Sequence, residues 1–389
     1  MSKERVNDKG FDVERLQRVA QAIRRDIEAE RCHGVALVVA RGGRVVLDVT
    51  EGFADRKAGR RLSKDAVFAT MSVAKQFTNV LALSLVERGA LRLHAPVAEL
   101  IPEFGTLGKE TVNLFHLLTH TSGVMSAIPA VPPDVLTNIE KSLAYACALP
   151  LESLPGERVN YSILLAHHVI AALCLRADGR GRSFAQMLDE EIFQPLDMRD
   201  TALGPRQDLL SRLCPVRAAY SGIPALIQPD ALEGVGELLA MPGCEIPGGG
   251  CLTTIQDLHR FAEMLRRGGE LDGARILSPA MIEFSTQNHT GELRNVLFDV
   301  FAGYRHWEFY PANIGVGFFV RGEGNIPGLF GVLNSSRTFG GFGAGSTGFM
   351  IDPEHDLSPA FLSAGLMEDS YHFERMGVLA DLVVSSIVR

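Results

Sequence analysis

The residues of this chain best suited to catalysis are a serine and a lysine that lie three positions apart, Ser72 and Lys75. Apolar residues recur behind them at helical spacing, which predicts a helix buried along one side, with both polar side chains on one face of its first turn. The N-terminus of a helix supplies N–H groups and a partial positive charge that stabilise an anion. A hydroxyl, a base and N–H donors are what acyl transfer requires, although such a pair also occurs on solvated helix surfaces.

Two further stretches carry groups that could serve the same reaction. Tyr161 precedes an apolar helix, where its phenol could carry a proton or could equally be a core tyrosine with its hydroxyl at the surface. Residues 339–348 read FGGFGAGSTG, and glycine at this density lets a strand edge approach another group, although a flexible turn has the same composition. Strand residues follow at once, which favours a defined edge.

Composition narrows the class of protein. The chain has 389 residues with 38 Lys and Arg against 46 Asp and Glu, a net charge of −8, so we expect neither nucleic acid nor an anionic membrane as a partner. Residues 1–14 are mostly polar, and no apolar run is long enough to span a bilayer. These features predict a soluble, cytoplasmic protein.

Cysteine and histidine spacing predicts no metal and no cofactor. The six cysteines include no CxxC pair, which is typical of reduced, mostly buried thiols. His116 and His120 lie four residues apart, but they lack the glutamate of a His-Glu-x-x-His motif and an evident third ligand. We expect His120 to be a structural hydrogen-bonding residue in a turn, and His167 and His168 to be a helix pair with one side buried.

The order of the predicted elements indicates an α+β fold. A helix is expected over residues 11–30, followed by a hairpin of two β-branched runs around Gly42 and Gly43. The middle of the chain reads as helices and loops, and the last part reads as a helix at 254–267, strands at 314–320, 328–333, 346–351 and 358–364, and a helix at 373–387. We therefore expect one central antiparallel sheet, built from both chain ends and flanked by helices, with an inserted, mostly helical subdomain. Residues 1–75 and 246–389 would form the sheet subdomain and residues 76–245 the helical one, with a cleft between them.

Taken together, Ser72-x-x-Lys75, Tyr161-Ser162 and the glycine-rich strand resemble the serine β-lactamase and penicillin-binding-protein superfamily. The chain is most similar to its class C-like branch, which includes the family VIII carboxylesterases. Further matching stretches read LLTHTSG at 117–123, FQPLDM at 193–198, PGGGCLT at 247–253 and GELDGARILSP at 269–279. The resemblance runs from about residue 34 to residue 365 and implies a β-lactamase/transpeptidase-like fold.

The resemblance also implies a role for each site residue. Ser72 would be acylated, with Lys75 helping to deprotonate it and Tyr161 exchanging the proton with Ser72, the leaving group and water. The backbone N–H groups of Ser72 and Ala344 would hold the oxyanion. Whether Lys75 or Tyr161 is the base stays open, because the two form a coupled pair.

Two departures from the family pattern point to the substrate. Ile163 stands where the tyrosine motif usually has Asn, and Gly341-Phe342-Gly343 stands where β-lactamases have Lys-Thr-Gly. That lysine binds the carboxylate of a β-lactam or a peptide terminus, and esterases of this branch commonly replace it with an uncharged residue. We therefore expect a small-molecule substrate that is a neutral, rather apolar acyl ester. Candidates for contact with it are Gly341, Phe342, Gly343, Ile163, Met125 and the loop at 128–133.

Other functions remain as alternatives. The same site could serve a β-lactamase, a D-amino-acid peptidase or amidase, or an acyltransferase that passes the acyl group to another acceptor. A non-catalytic binder would be expected to have lost at least one of Ser72, Lys75 and Tyr161. Residues 344–348 approximate the Gly-x-Ser-x-Gly elbow of an α/β-hydrolase, but an elbow needs a strand before Ser346 and a helix after it.

Overall fold

The computed structural model describes residues 6–7 and 9–388. Its helices are α1 (Val13–Glu28), α2 (Ala74–Glu87), α3 (Leu114–Leu118), α4 (Pro133–Leu136), α5 (Ile139–Ala148), α6 (Leu165–Asp178), α7 (Phe184–Leu188), α8 (Gln207–Leu210), α9 (Pro229–Leu239), α10 (Ile255–Arg266), α11 (Pro279–Ser285), α12 (Val296–Arg305) and α13 (Asp369–Val384). Short 3-10 turns form at Met71–Val73, Val97–Glu99 and Pro102–Phe104, and a π-helical turn forms at Asp189–Phe193.

The strands are β1 (Gly34–Arg41), β2 (Arg44–Asp55), β3 (Arg60–Arg61), β4 (Phe68–Ala69), β5 (Ala202–Leu203), β6 (Cys251–Thr253), β7 (Glu270–Leu271), β8 (Ala274–Arg275), β9 (Phe319–Val320), β10 (Phe339–Gly343), β11 (Thr347–Ile351) and β12 (Ala360–Ala364). The main sheet has seven strands in the order β3-β2-β1-β12-β11-β10-β9, and every pairing in it is antiparallel. Strands from the two chain ends meet where β1 pairs with β12, with Gly34 opposite Ala364. The predicted sheet built from both ends of the chain is confirmed.

Helices cover both faces of this sheet because β1 is apolar on both faces. Alternate residues of a strand point to opposite sides, so Val35 and Leu37 join one core cluster with α1 and α13, whereas Ala36 and Val38 join another with α2 and α10. The second of these clusters continues into α6 and α7 of the helical segment. The division into two subdomains at residues 75 and 245 stays a prediction.

One predicted strand is wrong. Residues 328–333 form turns, because Gly328 and Gly331 have φ of +135° and +64° and because the carboxylate of Asp381 on α13 accepts the N–H groups of Val332 and Leu333. The strand lies instead at Phe339–Gly343, and of the expected strand at 314–320 only Phe319–Val320 pairs in the sheet. Backbone groups in 328–333 therefore bond to a helix side chain rather than to a neighbouring strand.

Helix α2 is more deeply buried than predicted. Residues 74–85 are buried on all sides rather than along one, because the helix lies between the sheet and helices α6 and α7. Its polar side chains reach distant backbone carbonyls: Thr78 donates to the oxygen of Pro247 at 2.9 Å and Asn79 to that of Gly317 at 2.9 Å. Such bonds are necessary because a buried polar group without a partner costs about 1–3 kcal/mol.

Within the part of the chain that the structure describes, we find no helix with the length and apolar character needed to cross a membrane.

Phe77 should be a main source of stability, because its ring packs edge-on against Phe193 and Phe261 at centroid distances of 5.3 and 4.7 Å. We expect Phe77→Ala to lower the free energy of unfolding by about 3–5 kcal/mol through the cavity it leaves. Urea denaturation measures the change. The control is Val45→Ala on an exposed strand position, which should change that free energy by less than about 0.5 kcal/mol. Equal effects of the two substitutions would contradict this account of the core.

Candidate active site

Ser72 lies in a tight turn that the sheet holds in place. The 3-10 turn Met71–Val73 leads directly into α2, and Met71 before Ser72 adopts a left-handed backbone with φ +48°. Such strain costs about 1–3 kcal/mol in a non-glycine residue and persists only where the surroundings impose it. Here Thr70 supplies the constraint, since its N–H donates to Cys251 O at 2.9 Å and its carbonyl accepts from the Thr347 hydroxyl at 2.7 Å.

Lys75 is fully buried and its amine contacts three oxygen atoms. Its Nζ lies 3.0 Å from Ser72 Oγ, 2.7 Å from the carbonyl of Ile163 and 2.8 Å from that of Gly248. Burial disfavours the ammonium form and lowers the pKa of Lys75 to about 7. A neutral amine has two N–H donors and one lone pair, so donation to the two carbonyls leaves the lone pair for the Ser72 hydroxyl.

Tyr161 completes this group. Its hydroxyl lies close enough to Ser72 for that side chain to lower the pKa of the phenol, and its ring centroid lies 5.1 Å from Lys75 Nζ. Burial raises the pKa of Tyr161 above its usual value, and the negative charge of Asp369 raises it further, so the phenol keeps its proton at neutral pH. The structure thus brings together the three residues that the sequence singled out as catalytic.

Ala344 follows β10 directly and lines the same cleft as Ser72 and Tyr161. The next residue, Gly345, has a left-handed φ of +58°, and a side chain there would overlap the carbonyl of Met367. The chain turns sharply at this point as a consequence, and its bend carries Ala344 to the cleft. The oxyanion role of Ser72 and Ala344 stays a prediction.

Some of the residues expected to contact substrate line the cleft, and others do not. Phe342 and Ile163 line the cleft. Gly341 and Gly343 instead face the Ser72 helix: a side chain at 341 would overlap Gln76, and a Cβ at 343 would lie 2.5 Å from Thr70 O. Met125 lies outside the lining, because its side chain packs against the core, although its carbonyl accepts from the Ser162 hydroxyl at 2.7 Å.

The cleft has a free space of about 860 Å³ including its open mouth. Most of its surface is hydrocarbon, and several of its walls were not predicted: Leu226, Ile227, Val235, Leu238 and Leu239 from α9 and the segment before it, Leu297 and Phe301 from α12, and Asp369 from α13. Amphipathic spacing in residues 229–239 predicts a helix there, but it does not show that the apolar face meets Ser72. Ile128 of the predicted loop at 128–133 also lines the cleft.

Buried histidine rings, which are neutral, pack near Lys75 and Tyr161. The His120 ring lies 4.4 Å from that of Tyr161 and 5.6 Å from that of His167, whose Nε2 pairs with Asn79 Oδ1 at 3.0 Å. Burial lowers the pKa of His120 to about 3, so it carries no proton on its second nitrogen at neutral pH. Within residues 6–7 and 9–388, no three His, Cys, Asp or Glu side chains cluster in a way that could hold a metal ion. His168 bonds to the carbonyl of Leu136 at 3.0 Å, so both members of the predicted pair are buried.

Ser346 lies in the turn between the antiparallel strands β10 and β11, and its hydroxyl donates to Ala344 O at 2.9 Å. An α/β-hydrolase elbow requires a helix directly after the serine. The α/β-hydrolase alternative is therefore wrong. The six cysteines are free thiols, and five of them are buried, as the sequence predicted.

Comparison with known proteins agrees with this fold. The family model described as Beta-lactamase matches residues 19–381, so the chain belongs to the beta-lactamase family, as its motifs indicated. The esterase/beta-lactamase LipL of Mycobacterium tuberculosis is 26% identical over 373 residues, which cover 90% of this chain and 81% of LipL.

Two solved structures share the fold along nearly the whole chain. A penicillin-binding protein homologue from Caulobacter crescentus superposes with a TM-score of 0.78 at 24% identity, covering 96% of this chain and 98% of the other. A family VIII carboxylesterase superposes with a TM-score of 0.76 at 21% identity, covering 96% and 97%. Family membership and the similarity to LipL support serine hydrolase chemistry.

The reactivity of Ser72 should follow the protonation of Lys75. Below a pH of about 7 the buried amine is protonated and has no lone pair, so we expect the rate of labelling by a fluorophosphonate to rise with pH through about 7 and then level. Stopped-flow or gel-based labelling measures that rate. Lys75→Arg, which stays charged, should label at least about a hundredfold more slowly and without this rise. A flat profile in the unaltered protein would contradict a lysine base.

Proposed function

We propose that this protein hydrolyses neutral carboxylic esters through an acyl-enzyme on Ser72. The observation that carries the proposal is the apolar cleft that opens on Ser72, Tyr161 and Ala344. Clefts of this kind bind substrates mainly by burying hydrocarbon, and a few polar groups orient the reacting bond. The serine hydrolase class fits the family, and the ester substrate is our inference from the cleft.

The chemistry follows from the positions of three side chains. Ser72 Oγ attacks the ester carbonyl while the Lys75 amine takes its proton, and the N–H groups of Ser72 and Ala344 hold the oxyanion. The carbon–oxygen bond then breaks, Tyr161 gives its proton to the leaving alkoxide, and the Lys75 ammonium reprotonates Tyr161. Water next attacks the acyl-enzyme, passes a proton to Lys75 through Tyr161, and the acid leaves as Ser72 regains its proton. We assign Lys75 rather than Tyr161 as the base, because burial lowers the pKa of the amine and raises that of the phenol.

The residue at position 341 supports esters rather than β-lactams as the substrate class. Gly341 stands where the resembling β-lactamases carry a cation, and the side chain of Gln76 occupies the space that a side chain at 341 would need. The cleft therefore offers no cation at this place to a substrate carboxylate. An uncharged ester has no carboxylate to bind.

Hydrolysis of p-nitrophenyl butyrate beside a chromogenic cephalosporin tests the proposal. We expect ester turnover with little cephalosporin turnover, and a loss of at least about a thousandfold in kcat for Ser72→Ala, since the nucleophile is gone. Ser211→Ala, at an exposed serine, serves as the matched control and should retain turnover. Cephalosporin turnover as fast as ester turnover would favour a β-lactamase or peptidase. No turnover by the folded protein would leave an acyltransferase or a binder.

A lysine at position 341 should be accommodated only if Gln76 is also replaced by a smaller residue. We expect Gly341→Lys alone to destabilise the protein by about 1–3 kcal/mol through overlap with Gln76. The double variant Gly341→Lys/Gln76→Ala makes room for the new side chain and should raise kcat/KM for the cephalosporin by about tenfold or more. Thermal unfolding and cephalosporin assays measure the two effects. A single variant as stable as the unaltered protein would show that Gln76 does not block this position.

A further inference from the structure

Asp369 is a carboxylate in a cleft otherwise lined by uncharged groups. It is the first residue of α13, is only 5% exposed, and lines the cleft together with Ser72, Tyr161 and Ala344. Of the described residues that line this cleft, Asp369 alone carries a side chain that is anionic when ionised near neutral pH. The proposed mechanism gives this carboxylate no role.

Asp369 lies at the N-terminus of α13, which favours a negative charge, but the described residues around it supply no cation to pair with it. The N–H of Gly345 donates to Oδ1 at 3.0 Å, whereas Oδ2 has no hydrogen-bond partner among residues 6–7 and 9–388. In that same part of the chain no Lys, Arg or His forms an ion pair with it, and the neighbouring charge is a second acid, Glu368. Burial, and then Glu368, raise the pKa of Asp369 to about 7. A buried carboxylate is costly without a cation, so a ligand that brings one gains from pairing with it.

Aromatic rings lie in the same cleft. Phe301 and Phe342 are among its lining residues, and an aromatic ring attracts a cation whose charge is spread over alkyl groups. Tyr161 also lines the cleft, but its ring already packs against His120 and lies 5.1 Å from Lys75 Nζ. The remaining walls are aliphatic and suit the methyl groups of such a cation. A carboxylate, aromatic faces and hydrocarbon are the combination that recognises a tertiary or quaternary ammonium group, and they repel a carboxylate ligand.

We propose that Asp369 is a specificity-determining residue that makes the cleft prefer esters bearing an alkylated ammonium group. This inference rests on the proposed ester hydrolysis at Ser72 and narrows its substrate class. Asp369 touches the substrate cation and takes no part in proton transfer. The structure does not require the cation to lie on the acyl or the alcohol side, since both sides of the ester occupy the cleft.

Binding of phenyltrimethylammonium, measured by titration calorimetry, tests the cation site without any turnover. At about one pH unit above the pKa of about 7, we expect Asp369→Asn to weaken binding by about tenfold or more. Asparagine keeps an oxygen for the Gly345 N–H, and thermal unfolding checks that the variant is folded. Asp48→Asn, which removes the same charge from strand β2, should leave binding unchanged. Equal affinity of Asp369→Asn and the unaltered protein would overturn the proposal.

A comparison of ligands on the unaltered protein does not depend on any variant. The protein should bind phenyltrimethylammonium more tightly than the anion 4-tert-butylbenzoate, which has a similar apolar shape. Preference for the benzoate would overturn the proposal.

Turnover of two thioesters of the same shape tests the link to function. Butyrylthiocholine and 3,3-dimethylbutyl thiobutyrate differ only by a quaternary nitrogen in place of a carbon. We expect kcat/KM to be at least about tenfold higher for the cation in the unaltered protein, and nearly equal for the two in Asp369→Asn. Hydrolysis of both at equal rates, with no binding of phenyltrimethylammonium, would overturn the cation site and keep the ester hydrolase. Binding that depends on Asp369, with no hydrolysis of any ester, would instead overturn the proposed function.

Discussion

The structure depends on the burial of one amine. Lys75 has a pKa near 7 only because α2 is enclosed on all sides, and this enclosure needs the sheet on one side and α6 and α7 on the other. An exposed lysine would keep its usual pKa and would hold no lone pair for Ser72. The long apolar helix α6 thus belongs to the environment of Lys75, because it packs against α2 and helps to exclude water from the amine. The bonds of Lys75 to the carbonyls of Ile163 and Gly248 replace the water that burial takes away.

The strain before the nucleophile has the same origin. Met71 keeps a left-handed backbone because β6 and β11 hold Thr70 from both sides, through Cys251 and Thr347. Gly343 lets β10 lie against this turn, since any larger residue would press on Thr70. The turn that carries Ser72 is therefore held by contacts with three strands, whereas α9 and α12 form walls of the cleft. A fold arranged in this way separates the reaction from the choice of substrate.

The sequence sufficed where the chemistry is local or the motif is long. Ser72 and Lys75 share one helical turn, and Tyr161 follows from the tyrosine motif, so the order of amino acids alone selects three residues that the structure brings together. Their catalytic roles stay a prediction. The full burial of α2 could not be predicted, because Thr78 and Asn79 are polar and their partners, Pro247 and Gly317, are distant in sequence. The strand expected at 328–333 is wrong for a similar reason, since Asp381 on a remote helix takes its N–H groups. The cleft walls and Asp369 depend on which helix faces meet, and periodicity within one element does not contain that information.

The pairing of β1 with β12 has a consequence for the synthesis of this protein. The ribosome makes β1 long before β12, so the growing chain carries β1 with one edge unpaired until β12 is made, and α2 lacks cover until α6, α7 and α10 are made. Open strand edges and uncovered apolar helices are the surfaces through which unfinished chains associate wrongly. Phe342 of β10 and Ala344 after it line the cleft, so a chain that stops before these strands contains Ser72, Lys75 and Tyr161 but lacks one wall of the cleft.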